Sequence, residues 1–230
     1  MLPLNNLYNM DCMDGMKQFP DGYFDLAIVD PPYGIGADKF QNGAGAKDHP
    51  KGSTSKKLRV NSGGGKLKNR LLNKSDCSWD AFPPDKEYFY ELFRVSKNQI
   101  IWGGNYFDLP PTRCICVWDK MQPWENFSQV EIAWTSFDSP AQLFKYCNAG
   151  GAHNDVKIHP TQKPIKLYKW LLTKYAKEGD KILDTHVGSA SSLIACHDLH
   201  FDFIGFELDE TYYKAAKERM EQHFAQYTLF

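Results

Sequence analysis

Residues 24–33 constrain the fold more than any other stretch. Phe24-Asp25-Leu26-Ala27-Ile28-Val29 is a short, mostly apolar run ending in Asp30-Pro31-Pro32-Tyr33. Its length and composition predict a buried strand. Open α/β sheets bind ligands just outside the carboxyl ends of their strands, so an acid there predicts a site. The two prolines remove two N–H donors and stiffen the turn. The carbonyls of Asp30 and Pro31 then stand as fixed acceptors beside a carboxylate, with the ring of Tyr33 next to them. Acceptors beside a stacking ring suit a planar group bearing an NH2, such as a nucleobase.

The rest of the chain supplies a sheet for this strand. Leu7-Tyr8-Asn9 predicts a short edge strand, and Asp11 can cap a helix over 12–19. Helical spacing covers 83–96, with strands expected at 99–102, 114–118 and 130–134. Residues 137–156 look irregular. Pro164 opens a helix to about residue 176 that Gly179-Asp180 stops. A strand at 181–184, a small-residue helix to Cys196, a strand at 203–206 and an amphipathic helix from Asp209 complete the chain. Strands alternating with helices at both ends predict an α/β fold, with a mostly parallel sheet and helices on both faces.

Two further clusters bear chemistry. Asp184-Thr185-His186-Val187-Gly188-Ser189-Ala190-Ser191 is a strand end, a small-residue turn and a helix start. Glu207, at the end of the following strand, can accept both hydroxyls of a ribose. The turn has too few glycines for a pyrophosphate, so a nucleoside without phosphate fits better. The third cluster is His159-Pro160-Thr161-Gln162-Lys163-Pro164, immediately before a helix.

Charge is unevenly spread. The net charge is −1, yet residues 39–75 carry ten basic groups against Asp48 alone. A segment so positive on an acidic body suggests a polyanion. The stretch 34–78 is too long and too rich in Gly, Lys, Ser and Asn for an ordinary loop, and reads as a mobile insertion after the Asp30 turn. Its Lys56, Lys57, Arg59, Lys66, Lys68 and Arg70 are the expected nucleic-acid contacts, made to phosphates rather than bases. Six cysteines without C-x-x-C pairs, no metal spacing among the histidines, and no signal or membrane-spanning run predict a cytoplasmic protein without a metal.

The order of these clusters resembles the β class of amino-group DNA methyltransferases, which use S-adenosylmethionine. The resemblance implies a Rossmann-like class I methyltransferase fold, circularly permuted so that the catalytic motif precedes the cofactor half, with an antiparallel edge strand. It implies one domain over 1–230, with the insertion at 34–78 and a short target-recognition region at 120–155. It implies that Asp30 and Pro31 accept the target amine, with Pro32 in the same turn, and that Tyr33 stacks on a flipped base. Asp11 and Cys12 match the pair flanking the cofactor adenine. Thr161, Gln162 and Lys163 match the segment bordering the methionine end, and Asp30 also lies on that side. Asp184, Gly188 and Ser189 match the cofactor turn, and Glu207 matches the ribose acid. An Asp opening the catalytic motif is the family's usual adenine pattern.

The chain departs from the family's D-P-F-x-G-S-G-T at Thr185, His186 and Ala190. These departures leave open a catalytically silent DNA-binding relative, although Asp30, Tyr33, Asp184 and Glu207 are intact. Cytosine N4 as the target and RNA as the substrate also stay open. Recognition in so short a region as 120–155 is brief, lax or shared across a homodimer.

Overall fold

The computed structural model describes residues 1–36, 80–122, 128–147 and 157–227. The six basic residues singled out in the insertion, and Trp124, Glu125 and Asn126, lie outside these.

Eight strands form one sheet: β1 Asn6–Asn9, β2 Phe24–Val29, β3 Ser96–Trp102, β4 Ile115–Asp119, β5 Val130–Thr135, β6 Gln142–Lys145, β7 Lys181–Asp184 and β8 Asp202–Glu207. Among the described residues, five α-helices accompany them: α1 Cys12–Met16, α2 Lys86–Val95, α3 Ile165–Tyr175, α4 Ser191–Asp198 and α5 Glu210–Tyr227. A 3-10 turn spans Gly104–Tyr106. The strand order is β1-β8-β7-β2-β3-β5-β4-β6.

Strand β2 is central and buried on both sides, as its near-continuous apolar run requires. Leu26 and Ile28 pack with Leu167, Leu171, Leu193 and Ile194 on one face. Ala27 and Val29 pack with Met16, Leu92 and Val95 on the other. Helices therefore cover both faces, and the fold is α/β and mostly parallel, as the sequence implies.

The antiparallel strand is not at the edge as expected. It is β5, which runs antiparallel to both β3 and β4 and lies inside the sheet. The two edges, β1 and β6, are each parallel to their neighbours. The cause is the hairpin's placement: β5 takes the position next to β3 and β4 pairs on its outer side, while β6 lies within the stretch read as irregular. Its four residues pair outside β4 and add a further strand beyond the β4–β5 hairpin.

The sheet reverses its direction of growth between β7 and β2. From β7 the chain passes through α4 to β8 on one side, and from β2 through α2 to β3 on the other. Leu26 pairs with Ile182 and Ala27 with Leu183, so β7 and β2 end side by side. Asp184 and Asp30 stand at those ends, at the topological switch point where such sheets bind ligands. The β1–β8 pairing sets Asn9 opposite Glu207, which brings Asp11 to the same rim. Helix α1 lies close on β8 because residue 15 is glycine. A Cβ there would come within 2.4 Å of the Phe206 ring. Among the described residues, no helix is long and apolar enough to cross a membrane.

Candidate active site

Two half-sites meet at this rim. The first is a solvent-open cleft of about 320 Å³ lined by Asp30, Pro31, Pro32, Tyr33, Asp80, Glu131, Thr161 and Lys163. Both oxygens of Asp30 are engaged. The Tyr33 hydroxyl donates to Oδ1 at 2.6 Å, and the Lys163 ammonium donates to Oδ2. Lys163 is only 3% exposed, and its Nζ also lies 3.1 Å from Glu131 Oε2. Glu131 Oε1 in turn pairs with Lys120 Nζ at 2.5 Å.

Four charges thus alternate in sign from Asp30 to Lys120. Burial alone would raise the Glu131 carboxyl, but Lys163 and Lys120 outweigh it and hold that group below its usual range. Burial would lower Lys163, and Asp30 and Glu131 overcome it, so the ammonium stays charged. Burial, then Asp30, pushes the Tyr33 phenol well above its usual range, which keeps its hydroxyl a donor.

The Tyr33 ring is fixed by its surroundings. Tyr106, itself 47% exposed, stacks on it at 4.9 Å and 14°. Phe107 meets it edge-on at 6.1 Å. Gly103 sits at φ 71°, a left-handed conformation that favours glycine. A Cβ there would fall 2.2 Å from Tyr33 Cε1, so the close approach needs glycine as well. On the other side of the turn, the Gly34 amide donates to the buried Asp80 carboxylate at 2.9 Å.

The second half-site is the turn after β7. Asp184 is buried, and it accepts from the His186 amide at 3.0 Å and from the Ser192 hydroxyl. Burial pushes its carboxyl up to about 7 against those two hydrogen bonds. Glu207 accepts from the Gly188 amide at 2.8 Å and the Asp209 amide at 3.0 Å. Burial raises this carboxyl, while the backbone donors oppose the rise. The Leu208 amide also reaches this carboxylate, and a carboxylate's roughly four acceptor sites leave room for neighbouring hydroxyls. Asp11 caps α1 through the Met13 amide at 2.7 Å. Cys12 is held as a thiol, pushed up to about 12 by burial and then Asp11.

Thr185 and His186 form a hydrogen-bond chain in place of the family's Pro-Phe. The Tyr88 hydroxyl and Thr185 Oγ1 lie 2.7 Å apart, and Thr185 Oγ1 and His186 Nδ1 2.9 Å apart. His186 is kept neutral, lowered to about 4 by burial. Ala190 adopts φ 62° as it opens α4, the conformation that a glycine would take without strain.

The structure gathers Asp30, Pro31, Pro32, Tyr33, Thr161 and Lys163 in one cleft and Asp11, Cys12, Asp184, Gly188 and Glu207 at the neighbouring strand ends. Two of the expected residues face their own loops. Gln162 Oε1 accepts from the Ile158 amide at 2.9 Å. The Ser189 hydroxyl meets that of Ser191, and its carbonyl accepts from Arg219. Sequence reasoning did not assign Glu131, Lys120 or Tyr106 to the site. An acid inside the apolar run Val130-Glu131-Ile132-Ala133-Trp134 was the available signal.

The doubly wound sheet, with its clefts at the switch point, has the fold of solved class I methyltransferases. The M1.HpyAVI-SAM complex has the same fold at 17% identity, with a TM-score of 0.56 over 93% of this chain and 98% of that one. The N6_N4_Mtase family model, a DNA methylase, matches residues 117–218. The type II methyltransferase M2.DpnII of Streptococcus pneumoniae is 41% identical over 152 residues, which is 66% of this chain and 52% of that enzyme. M.HpaI of Haemophilus parainfluenzae is 33% identical over 86 residues, 37% of this chain and 27% of that enzyme. Through these matches the chain is similar to N6/N4 amino-group DNA methylases. It spans about half or less of the length of these two curated relatives.

His159 gives this site a pH signature. It is 8% exposed, edge-on to Tyr212 at 4.4 Å, and lowered to about 3 by burial and then Lys163. The unfolded chain takes up this proton below about pH 6.5 and the folded chain does not, so stability is lost as pH falls through that window. Urea denaturation at pH 7 and pH 5 should show the parent losing about 2 kcal/mol more than His159→Gln. Equal losses would contradict a neutral buried imidazole.

Proposed function

We propose that the chain transfers a methyl group from S-adenosylmethionine to the N6 amine of a flipped adenine in DNA. The observation that carries this is the placement of Asp30, at the carboxyl end of β2, beside the end of β7 and its small-residue turn. An amine acceptor and a nucleoside cradle there share one rim. The donor set suits the cofactor: Glu207 offers acceptors for two ribose hydroxyls, and Gly188, at φ 54°, keeps the turn free of side chain. Bound there, the cofactor supplies an electrophilic methyl group on a sulfonium.

The residues of the chain do the rest. An exocyclic amine is a weak nucleophile because its lone pair is delocalised into the ring. Asp30 and the Pro31 carbonyl accept its two N–H bonds and favour a pyramidal nitrogen, which gives up one of these protons along those hydrogen bonds on gaining the methyl group. Tyr33 holds the base by stacking, and its hydroxyl also fixes Asp30. The hydroxyl therefore has a role of its own beyond the ring. Positioning and electrostatics carry the rate. Extruding the base from a duplex costs a few kcal/mol, supplied by these contacts. The basic excess at 39–75 supports a nucleic acid over a protein side chain, and the opening Asp of the motif supports adenine over cytosine.

Expression in a methylation-free bacterial host, with mass spectrometry of the nucleosides, tests the reading. N6-methyladenine is expected with the parent and none with Asp30→Ala. N4-methylcytosine alone would overturn the choice of base, and equal methylation by Asp30→Ala would overturn the role of Asp30.

Calorimetry tests the cofactor half. Losing hydrogen bonds to a charged group costs about 1.5–3 kcal/mol, so Glu207→Ala should weaken S-adenosylmethionine binding roughly ten- to hundred-fold. An unchanged Kd in the folded variant would move the ribose elsewhere.

A further inference from the structure

The charge string that begins at Asp30 does not end in the cleft. Lys163 Nζ contacts Asp30 and Glu131, and Glu131 contacts Lys120. Lys120 directly follows β4 and Glu131 lies in β5, so both belong to the root of the β4–β5 connection. That root is braced. The Lys120 amide donates to the Gln129 carbonyl at 2.9 Å, and the Met121 amide to Asp119 Oδ1 at 2.8 Å. The Lys120 ammonium lies 5.6 Å from the Trp118 ring centre, and its side chain is only 14% exposed. Two cations and two anions, each largely removed from water, thus connect the catalytic turn to the hairpin.

We propose that Glu131 and Lys120 are positioning residues for methyl transfer, which share the Lys163 ammonium with Asp30 and couple the β4–β5 connection to the catalytic carboxylate. The inference rests on the reaction assigned above. Its logic is competition for one cation. An amine N–H must find an acceptor on Asp30, whose Oδ2 is held by Lys163. Glu131 draws on the same ammonium and weakens its grip, so Asp30 keeps acceptor strength for the substrate. Lys120 holds Oε1 of Glu131 and thereby aims Oε2 at Lys163. Anything that moves Lys120, at the base of the connection, changes how strongly Asp30 is held.

A double-mutant cycle reads the coupling, with Glu131→Gln, Lys120→Met and the double variant compared in single-turnover methylation of DNA. Glu131→Gln is expected to slow the methyl-transfer step roughly ten-fold and Lys120→Met about three-fold. The Kd for S-adenosylmethionine should stay within about two-fold in both. The double variant should be no slower than Glu131→Gln alone, because Lys120 acts only through Glu131, and Lys120→Arg should restore the rate. If Glu131→Gln does not fold, Lys120→Met and Lys120→Arg carry the test on their own. A purely structural pair would lower stability without touching the transfer step. Parent-like rates in folded variants, or losses that multiply independently in the double, overturn the coupling. A parent protein that methylates no DNA overturns the assigned reaction instead.

Discussion

The ammonium of Lys163 joins two strand ends that the backbone alone leaves independent. It lies in the loop before α3, is almost wholly removed from water, and is shared by Asp30 at the end of β2 and Glu131 in β5. Removing a charge from water costs several kcal/mol, which only close partners of opposite sign can offset. Here the partners are two carboxylates, and the aromatic rings of Trp102 and Tyr33 lie 5.4 and 5.9 Å away. The Asp30 turn, catalytic in the proposed reading, is therefore held jointly by β2, β5 and the loop before α3. In the proposed reaction, the same cation that orders Asp30 would compete with the substrate for it, which is how Glu131 would bear on the chemistry as well as on the packing.

The cofactor side is ordered by different means. Its carboxylates are held by backbone N–H groups and hydroxyls rather than by cations. Burial pushes Asp184 up to about 7 against those donors, while Glu131, between two ammonium groups, is held low. The turn also departs from the pattern of the family that the sequence resembles. Thr185 and His186 replace a Pro-Phe pair with a hydrogen-bond chain to Tyr88. Ala190 accepts a left-handed backbone, at a cost of roughly 1–2 kcal/mol. Its methyl group is fully buried, which offsets part of that cost.

Much of this was legible in the sequence because it is local. The apolar run before Asp30, the helix start at Pro164 and the strand–turn–helix at Asp184 each declare themselves within ten residues. The strand ends they imply are the ones observed. What escaped is long-range or short-lived in sequence. Strand β6 has four residues of alternating exposure, too few to stand out from a loop, and the spatial order β3-β5-β4, which puts the antiparallel strand inside, is a long-range pairing that no local run declares. Lys163 and Asp30 are 133 positions apart, and nothing in either motif says that one neutralises the other. Glu131 carried a usable signal, a lone acid in an apolar strand, but only its buried partners explain it. The stacking of Tyr106 on Tyr33 follows from Gly103, whose missing side chain matters only once the Tyr33 ring lies against it.

At the centre of this account, the Lys163 ammonium holds the Asp30 turn to the rest of the sheet. Equilibrium urea unfolding of Lys163→Met against the parent at pH 7 tests it most directly. Taking away the cation leaves Asp30 and Glu131 buried without their shared partner, and the account predicts a loss of about 3–5 kcal/mol. A variant within about 0.5 kcal/mol of the parent, the range of an ordinary surface substitution, would contradict it.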